Sequence, residues 1–362
     1  MIVFLSKTKN FILIQIKSPG RICFFGDHQD YLGLPVIAGT IDRYIYLKAS
    51  RIKYDFFEIN LLDYDKSIKV EFKNDPKKIS SSDYFRAGLC VLEKNGIVPD
   101  KGYKIDINGD LPINAGLSSS SSLVVAWIRF LVQEFAHDKN IDNLQIAKWA
   151  VQTEVDFFKQ AGGIMDQYTI ALGGLILIDT LNKTYKNLQG NLGPLLVINS
   201  GEPKNTQGVL SNARENAQKA LNCVKKINPN FVLINSKIND YEKYKNQIPI
   251  NLQPYWESTI LNYQITKSAI NHLNLHNPPR IKLGELMNSH QFLLENNIRN
   301  TPIKLKKQMK QALKSGATGA KIVGSGGGGC MVVMLEEKEI IQVKKSILDA
   351  GAKDVFEVNI TN

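Results

Sequence analysis

Along the first part of the chain apolar and polar positions alternate in short runs. Phe11 to Lys17 alternates and then breaks at Ser18-Pro19-Gly20, and Pro35 to Ser50 is again strand-like, with Ile37, Ile41, Tyr44, Tyr46 and Leu47. The pattern predicts that roughly the first 110 residues are largely sheet, with a helix near Asp83 to Asn95. A longer helix is expected to start inside the serine run Leu117 to Ser122 and to continue through Leu123, Val124, Trp127, Phe130 and Leu131 to about His137, with serine as its N-cap. From Asp142 a further helix places Ala147, Val151, Val155 and Phe158 on one face. Glu154 falls on that apolar stripe, and a carboxylate there needs a partner. Gly162 and Gly163 end this helix, Asp166 begins the next turn, and Gly173-Gly174 precedes a strand at Leu175 to Ile178.

Beyond about Asn187 the periodicity gives a strand at Leu195 to Ile198 and long helices through Gln207 to Lys226, Pro254 to Leu273 and Leu283 to Asn296. A helix at Lys304 to Ser315 leads into strands at Ala320 to Val323 and Cys330 to Leu335, with a glycine run between them. Two units are expected, residues 1–185 and 186–362, since 362 residues exceed one ordinary core.

Composition narrows the class. Apolar residues at 43% and charged residues at 22% are ordinary for a globular chain, and no apolar run is long enough to span a membrane. No secretory cleavage pattern follows Met1, so a cytoplasmic protein without a membrane partner is expected. The four cysteines are scattered without a CxxC pair, which indicates neither a zinc site nor a disulfide framework. The net charge of +11 is spread along the chain, not gathered into basic runs interleaved with aromatics, so nucleic acid is not expected as a partner.

Three segments carry chemistry. Leu111 to Ser122 is a turn of small residues entering a helix start, where backbone N–H groups, hydroxyls and the positive helix end converge as a polyphosphate requires; an ordinary capped helix would look the same. No GxxxxGK[ST] occurs, which excludes a conventional P-loop. Gly324 to Gly329 satisfies GxGxxG, but a strand follows it where a dinucleotide fold needs a helix, so the run is read as a close-approach loop. Pro19-Gly20-Arg21 and Gly26-Asp27-His28-Gln29-Asp30-Tyr31 place an arginine, two carboxylates and an imidazole on one connection, suited to sugar hydroxyls and a phosphate or, equally, to a satisfied surface ion pair.

Together and in this order the segments resemble the three signature motifs of the GHMP kinases, most closely the galactokinase-like sugar kinases. The resemblance runs from about Lys17 to Leu335 and includes Gly163-Ile164-Met165-Asp166-Gln167, Pro112 to Ser121, Lys321 to Cys330 and Leu286-Met287-Asn288-Ser289-His290. It implies an α+β, two-domain GHMP kinase fold, with an N-terminal ribosomal-protein-like β-α-β domain and a C-terminal ferredoxin-like domain. The implied activity is ATP-dependent phosphorylation of a monosaccharide at its anomeric hydroxyl, by a monomer or homodimer, with Mg2+ as cofactor. A mevalonate-type kinase and a non-catalytic sugar and ATP sensor are the alternatives.

By resemblance, Asp166 and Arg21 are catalytic, and Asp27, His28, Asp30 and Gly163 bind the acceptor. Pro112, Ala115, Gly116, Leu117, Ser118, Ser119, Ser120, Ser121, Gly326 and Gly327 bind ATP, and Ser120 and Glu154 bind the metal. The chain departs from the galactokinase pattern at Asp27 for Glu, Gln29 for Thr, Cys23 for Asn and Asn114 for Gly, and a sugar-site tyrosine has no counterpart near Leu210, Ser211 and Asn212.

Overall fold

The computed structural model describes residues 13–112, 115–136, 140–204 and 206–361. The first sheet contains β1 (Leu13–Phe25), β2 (Val36–Arg51), β3 (Phe56–Leu61), β4 (Lys66–Glu71), β5 (Tyr103–Gly109), β6 (Leu175–Asp179) and β7 (Thr184–Asn187). Its order is β4-β3-β5-β2-β6-β7 with β1 paired to β2, and β3 with β5 is its parallel pair. The sequence pattern predicts a break at Ser18-Pro19-Gly20, but β1 runs straight through it. The register jumps from Pro19 opposite Tyr44 to Gly20 opposite Ile41, so β2 absorbs the extra residues as a bulge. A proline without an N–H is accommodated at that irregularity, and the strand goes on to deliver Arg21.

Four helices cover this sheet: α1 (Tyr84–Glu93), α2 (Ser119–Phe135), α3 (Asn143–Val151) and α4 (Met165–Leu172). Trp127 and Phe130 of α2 are fully buried and meet Phe57 of β3 edge to face. Burial of side chains of this kind contributes about 1.5–3 kcal/mol each and fixes α2 against the sheet. Asp83 and Asp142 cap α1 and α3 by accepting from the backbone N–H groups of Arg86 and Gln145.

The second sheet is antiparallel and comprises β8 (Leu195–Asn199), β9 (Gly319–Ile322), β10 (Cys330–Met334) and β11 (Asp354–Val358), in the order β11-β8-β10-β9. Six helices accompany it: α5 (Thr206–Ile227), α6 (Asp240–Lys245), α7 (Gln253–Leu273), α8 (Arg280–Leu293), α9 (Ile303–Lys314) and α10 (Ile340–Asp349). Leu305, Met309, Val343 and Ile347 of α9 and α10 bury against the sheet, while α5, α6 and α7 close a separate cluster around Trp256. α6, α10, β7 and β11 are not anticipated by the sequence pattern. The end of the chain returns to the first sheet, where Thr361 N donates to Thr40 O and Ile360 bridges Ile41. No helix among the described residues is long and apolar enough to cross a membrane.

Candidate active site

A cleft of about 550 Å³ lies where β1, the loop before α2, the start of α4 and the glycine run meet. Arg21 leaves β1 almost fully buried and reaches Asp166 in a two-pronged pair, Nε to Oδ1 at 2.7 Å and Nη2 to Oδ2 at 2.8 Å. Its Nη1 donates to Gly116 O at 2.7 Å, so one guanidinium joins the first turn of α4 to the small-residue loop. Burial alone would raise the Asp166 pKa, but the charge and hydrogen bonds of Arg21 and a bond from Ser118 hold it below the ordinary carboxylate value.

Serine capping is expected at the start of α2 and is not found. Ser118 occupies the cap position in a left-handed conformation, φ +60°, and its Oγ donates to Asp166 Oδ2 at 2.5 Å instead. The first N–H groups of α2, which have no intrahelical acceptor in any helix, therefore stay available at the cleft beside Ser119, Ser120 and Ser121. α1 and α3, with their aspartate caps, show the alternative that this helix does not take.

Glu154 also reaches the cleft by local irregularity. The sequence pattern predicts one α-helix through Phe158, yet α3 stops at Val151 and a π-turn spans Gln152–Asp156. Phe157 N donates to Gln152 O and Gln160 N to Val155 O, each five residues back, and Thr153 Oγ1 bonds Trp149 O. Val155 and Phe158 are consequently half-buried and line the cleft with Glu154, in place of forming an apolar stripe. The Glu154 carboxylate is buried and raised in pKa by desolvation; its partners are neutral, with Gln167 Nε2 donating at 2.7 Å and the Ser121 and Ser120 hydroxyls nearby. A buried carboxylate beside serine oxygens, without a basic side chain, fits a hard divalent cation that takes further oxygens from phosphate.

The two carboxylates of the Gly26–Tyr31 loop have opposite surroundings. Asp27 forms a buried ion pair with Lys321 of β9 at 2.7 Å, and although burial opposes it, that lysine lowers its pKa. Among the described residues Asp30 has no such ion pair: burial, then the charge of Asp166, raises its pKa to about 6. Gly163 makes room for it, since a Cβ there would lie 1.8 Å from Asp30 Oδ2. His28 is left-handed, φ +62°, a conformation costing roughly 1–2 kcal/mol for a non-glycine residue. Its ring lies between Tyr31 Oη at 3.3 Å and Ser325 O at 3.0 Å.

Of the residues singled out in the sequence, Arg21, Asp27, His28, Asp30, Gly116, Ser118 to Ser121, Glu154, Gly163 and Asp166 line the cleft. Pro112, Ala115, Leu117, Gly326 and Gly327 do not. Leu117 is core, and Gly326 and Gly329 pack against backbone, where a Cβ would lie 2.6 Å from Asn300 O and from Ala115 O respectively. Ile113 and Asn114 lie outside the described residues. Lys204, on the loop after β8, is a cleft residue that the sequence motifs miss. Its Nζ would lie 3.2 Å from a Cβ at Gly116, and burial, then the charge of Arg21, lowers its pKa to about 8. Leu210 and Ser211 of α5 line the same cleft.

Comparison with known proteins finds three family matches. Residues 83–174 match the GHMP kinases N terminal domain, residues 274–353 the GHMP kinases C terminal domain, and residues 7–51 the galactokinase galactose-binding signature. A galactokinase from Clostridium acetobutylicum is 28% identical over 346 residues, covering 91% of this chain and 87% of the relative. One from Pyrococcus furiosus is 26% identical, covering 92% of both chains. Among solved structures, Lactococcus lactis galactokinase complexed with galactose superimposes with a TM-score of 0.87 at 21% identity, covering 98% of this chain and 94% of that one. Methanococcus jannaschii mevalonate kinase gives 0.71 at 20% identity, covering 96% and 98%.

Proposed function

The chain belongs to the GHMP kinases, ATP-dependent phosphotransferases, and we propose that it transfers the γ-phosphate of ATP to the anomeric hydroxyl of galactose or a closely related hexose. The observation that carries this reading is the Arg21–Asp166 pair, set in one cleft with the uncapped start of α2 and the buried Glu154. Phosphoryl transfer asks chiefly for positioning and charge neutralisation, and these groups supply both.

In this reading the free N–H groups of α2 with Gly116, Ser118, Ser119 and Ser121 hold the phosphates, and Lys204 adds a cation beside them. Ser120 and Glu154 hold Mg2+, which neutralises phosphate charge when bound. Asp30, with Gly163 behind it, accepts from sugar hydroxyls at the other end. Asp166 orients the attacking hydroxyl and takes its proton late. Its lowered pKa makes it a weak base in the ground state, which suits a loose transition state in which the hydroxyl becomes acidic as the bond to phosphorus forms. Arg21 fixes that carboxylate and faces the migrating phosphoryl group. Asp27 stabilises the loop through Lys321 and is less available to the sugar.

A coupled ATP-consumption assay over free hexoses, pentoses, uronic acids and mevalonate, with products assigned by NMR, tests this reading. A galactose-type sugar 1-phosphate is expected. Turnover with mevalonate alone would refute the sugar assignment.

A further inference from the structure

The glycine run touches more than the phosphate loop. On one side Cys330 N donates to Ala115 O at 2.7 Å, which ties the run to the segment entering α2. On the other side the carbonyl of Ser325 projects toward the Gly26–Tyr31 loop and meets two adjacent nitrogens. His28 Nε2 lies 3.0 Å from it and Asn300 Nδ2 donates to it at 3.1 Å.

Asn300 is only 2% exposed and follows a π-turn, Leu294–Ile298, and left-handed Arg299. Its main-chain oxygen accepts from Gly327 N at 2.6 Å, its Oδ1 accepts from Thr301 Oγ1, and Thr301 in turn accepts from Gln291 of α8. Those contacts fix the amide orientation, so Nδ2 is the atom presented to both Ser325 O and His28 Nε2, the latter at 3.1 Å. His28 Nε2 is thus set against both the Ser325 carbonyl and the Asn300 amide: carrying a proton it donates to the carbonyl, and bare it accepts from Nδ2. In either tautomer Asn300 Nδ2 donates to the Ser325 carbonyl and the His28 ring closes against that pair.

We propose that Asn300 is a positioning residue that clamps the Ser325 carbonyl together with His28, linking the glycine run behind the nucleotide to the loop that presents Asp30, so that each substrate strengthens binding of the other. The link is a continuous chain of contacts: Ala115, Cys330, the glycine run, Ser325 O, His28, and the turn carrying Asp30. Nucleotide bound at the loop entering α2 orders the run, and the run holds the acceptor loop in its strained form. The coupling is reciprocal by thermodynamic necessity. The proposal rests on the kinase reading for the identity of the two ligands.

The test uses titration calorimetry with the non-hydrolysable analogue AMPPNP, Mg2+ and D-galactose on the full chain, with Asn300→Ala and Asn300→Asp as variants. In the parent, saturating AMPPNP is expected to tighten galactose about 10-fold, and galactose to tighten AMPPNP by the same factor. Both variants are expected to bring this to about 2-fold or less while each ligand still binds alone, and melting temperatures identify any variant that is simply unfolded. Undiminished coupling in a folded variant, or no coupling in the parent, overturns the proposal. Absence of galactose binding to the parent would count against the acceptor assignment instead. In that event nitrogen-15 NMR of the His28 ring decides the clamp without any sugar: Asn300→Ala is expected to shift the Nε2 resonance, and an unchanged resonance in the folded variant overturns it.

Discussion

Residues 115–121 and 324–329 are both written in small side chains and lie against each other, yet smallness does different work in each. In the first, a glycine and a row of serines keep bulk and caps away from the start of α2, so that N–H groups, hydroxyls and the Arg21–Asp166 pair face the cleft. In the second, every glycine has positive φ, and at Gly326, Gly328 and Gly329 a Cβ would lie 2.2 to 2.6 Å from a backbone oxygen. One loop presents groups to ligands, and the other lets backbone approach backbone. Composition alone does not separate the two roles; the partners do.

If this division holds, substitutions beside the first loop remove turnover without unfolding the chain. Asp166→Asn is expected to lower kcat about 10³-fold with little change in KM for either substrate, and to lower the melting temperature without unfolding the chain, because buried Arg21 loses its counter-charge, read by steady-state kinetics and calorimetry. Glu154→Gln comes next, with a fall of about 100-fold in kcat/KM and a rightward shift of the Mg2+ titration, because the buried carboxylate is then lost from the cation site. In the second loop Gly329→Ala is expected to act mainly on stability, costing about 2 kcal/mol or more and raising KM for ATP several-fold through displacement of Ala115. A Gly329→Ala protein with parental melting temperature would erase the contrast.

The smallest effect concerns pH. Asp30 at about 6 is protonated below that value and accepts sugar hydroxyls poorly, while Lys204 at about 8 loses its charge above that value. Activity should therefore plateau between about pH 6 and 8, with the acid limb appearing in KM for the sugar and the alkaline limb in KM for ATP. Lys204→Met should weaken the alkaline limb and leave the acid limb in place, as a pH–rate profile would show.

How far the sequence carried depended on whether a feature is local. Helices with clear periodicity, such as α2 and α9, and the motif residues around Arg21 and Asp166 are legible because neighbours in sequence determine them. Three features were not. The run of β1 through Pro19-Gly20 depends on a bulge in β2. The inward turn of Glu154 depends on a π-turn that breaks the 3.6-residue period. The pairing of Asp27 with Lys321 joins residues 294 positions apart that no local pattern connects. Lys204 and Asn300 belong to no motif of small residues, and their roles follow only from what the fold sets against them. The Asp27 pairing also changes what the departure from Glu means: the carboxylate at that position serves the loop as much as any ligand.

The central claim is geometric, and a crystal structure with AMPPNP, Mg2+ and D-galactose measures it directly. The account predicts the γ-phosphate at the start of α2, the anomeric oxygen of the sugar hydrogen-bonded to Asp166, and that oxygen about 3–3.5 Å from the γ-phosphorus. A nucleotide bound away from residues 116–121, or a sugar whose anomeric oxygen points away from Asp166, would contradict it.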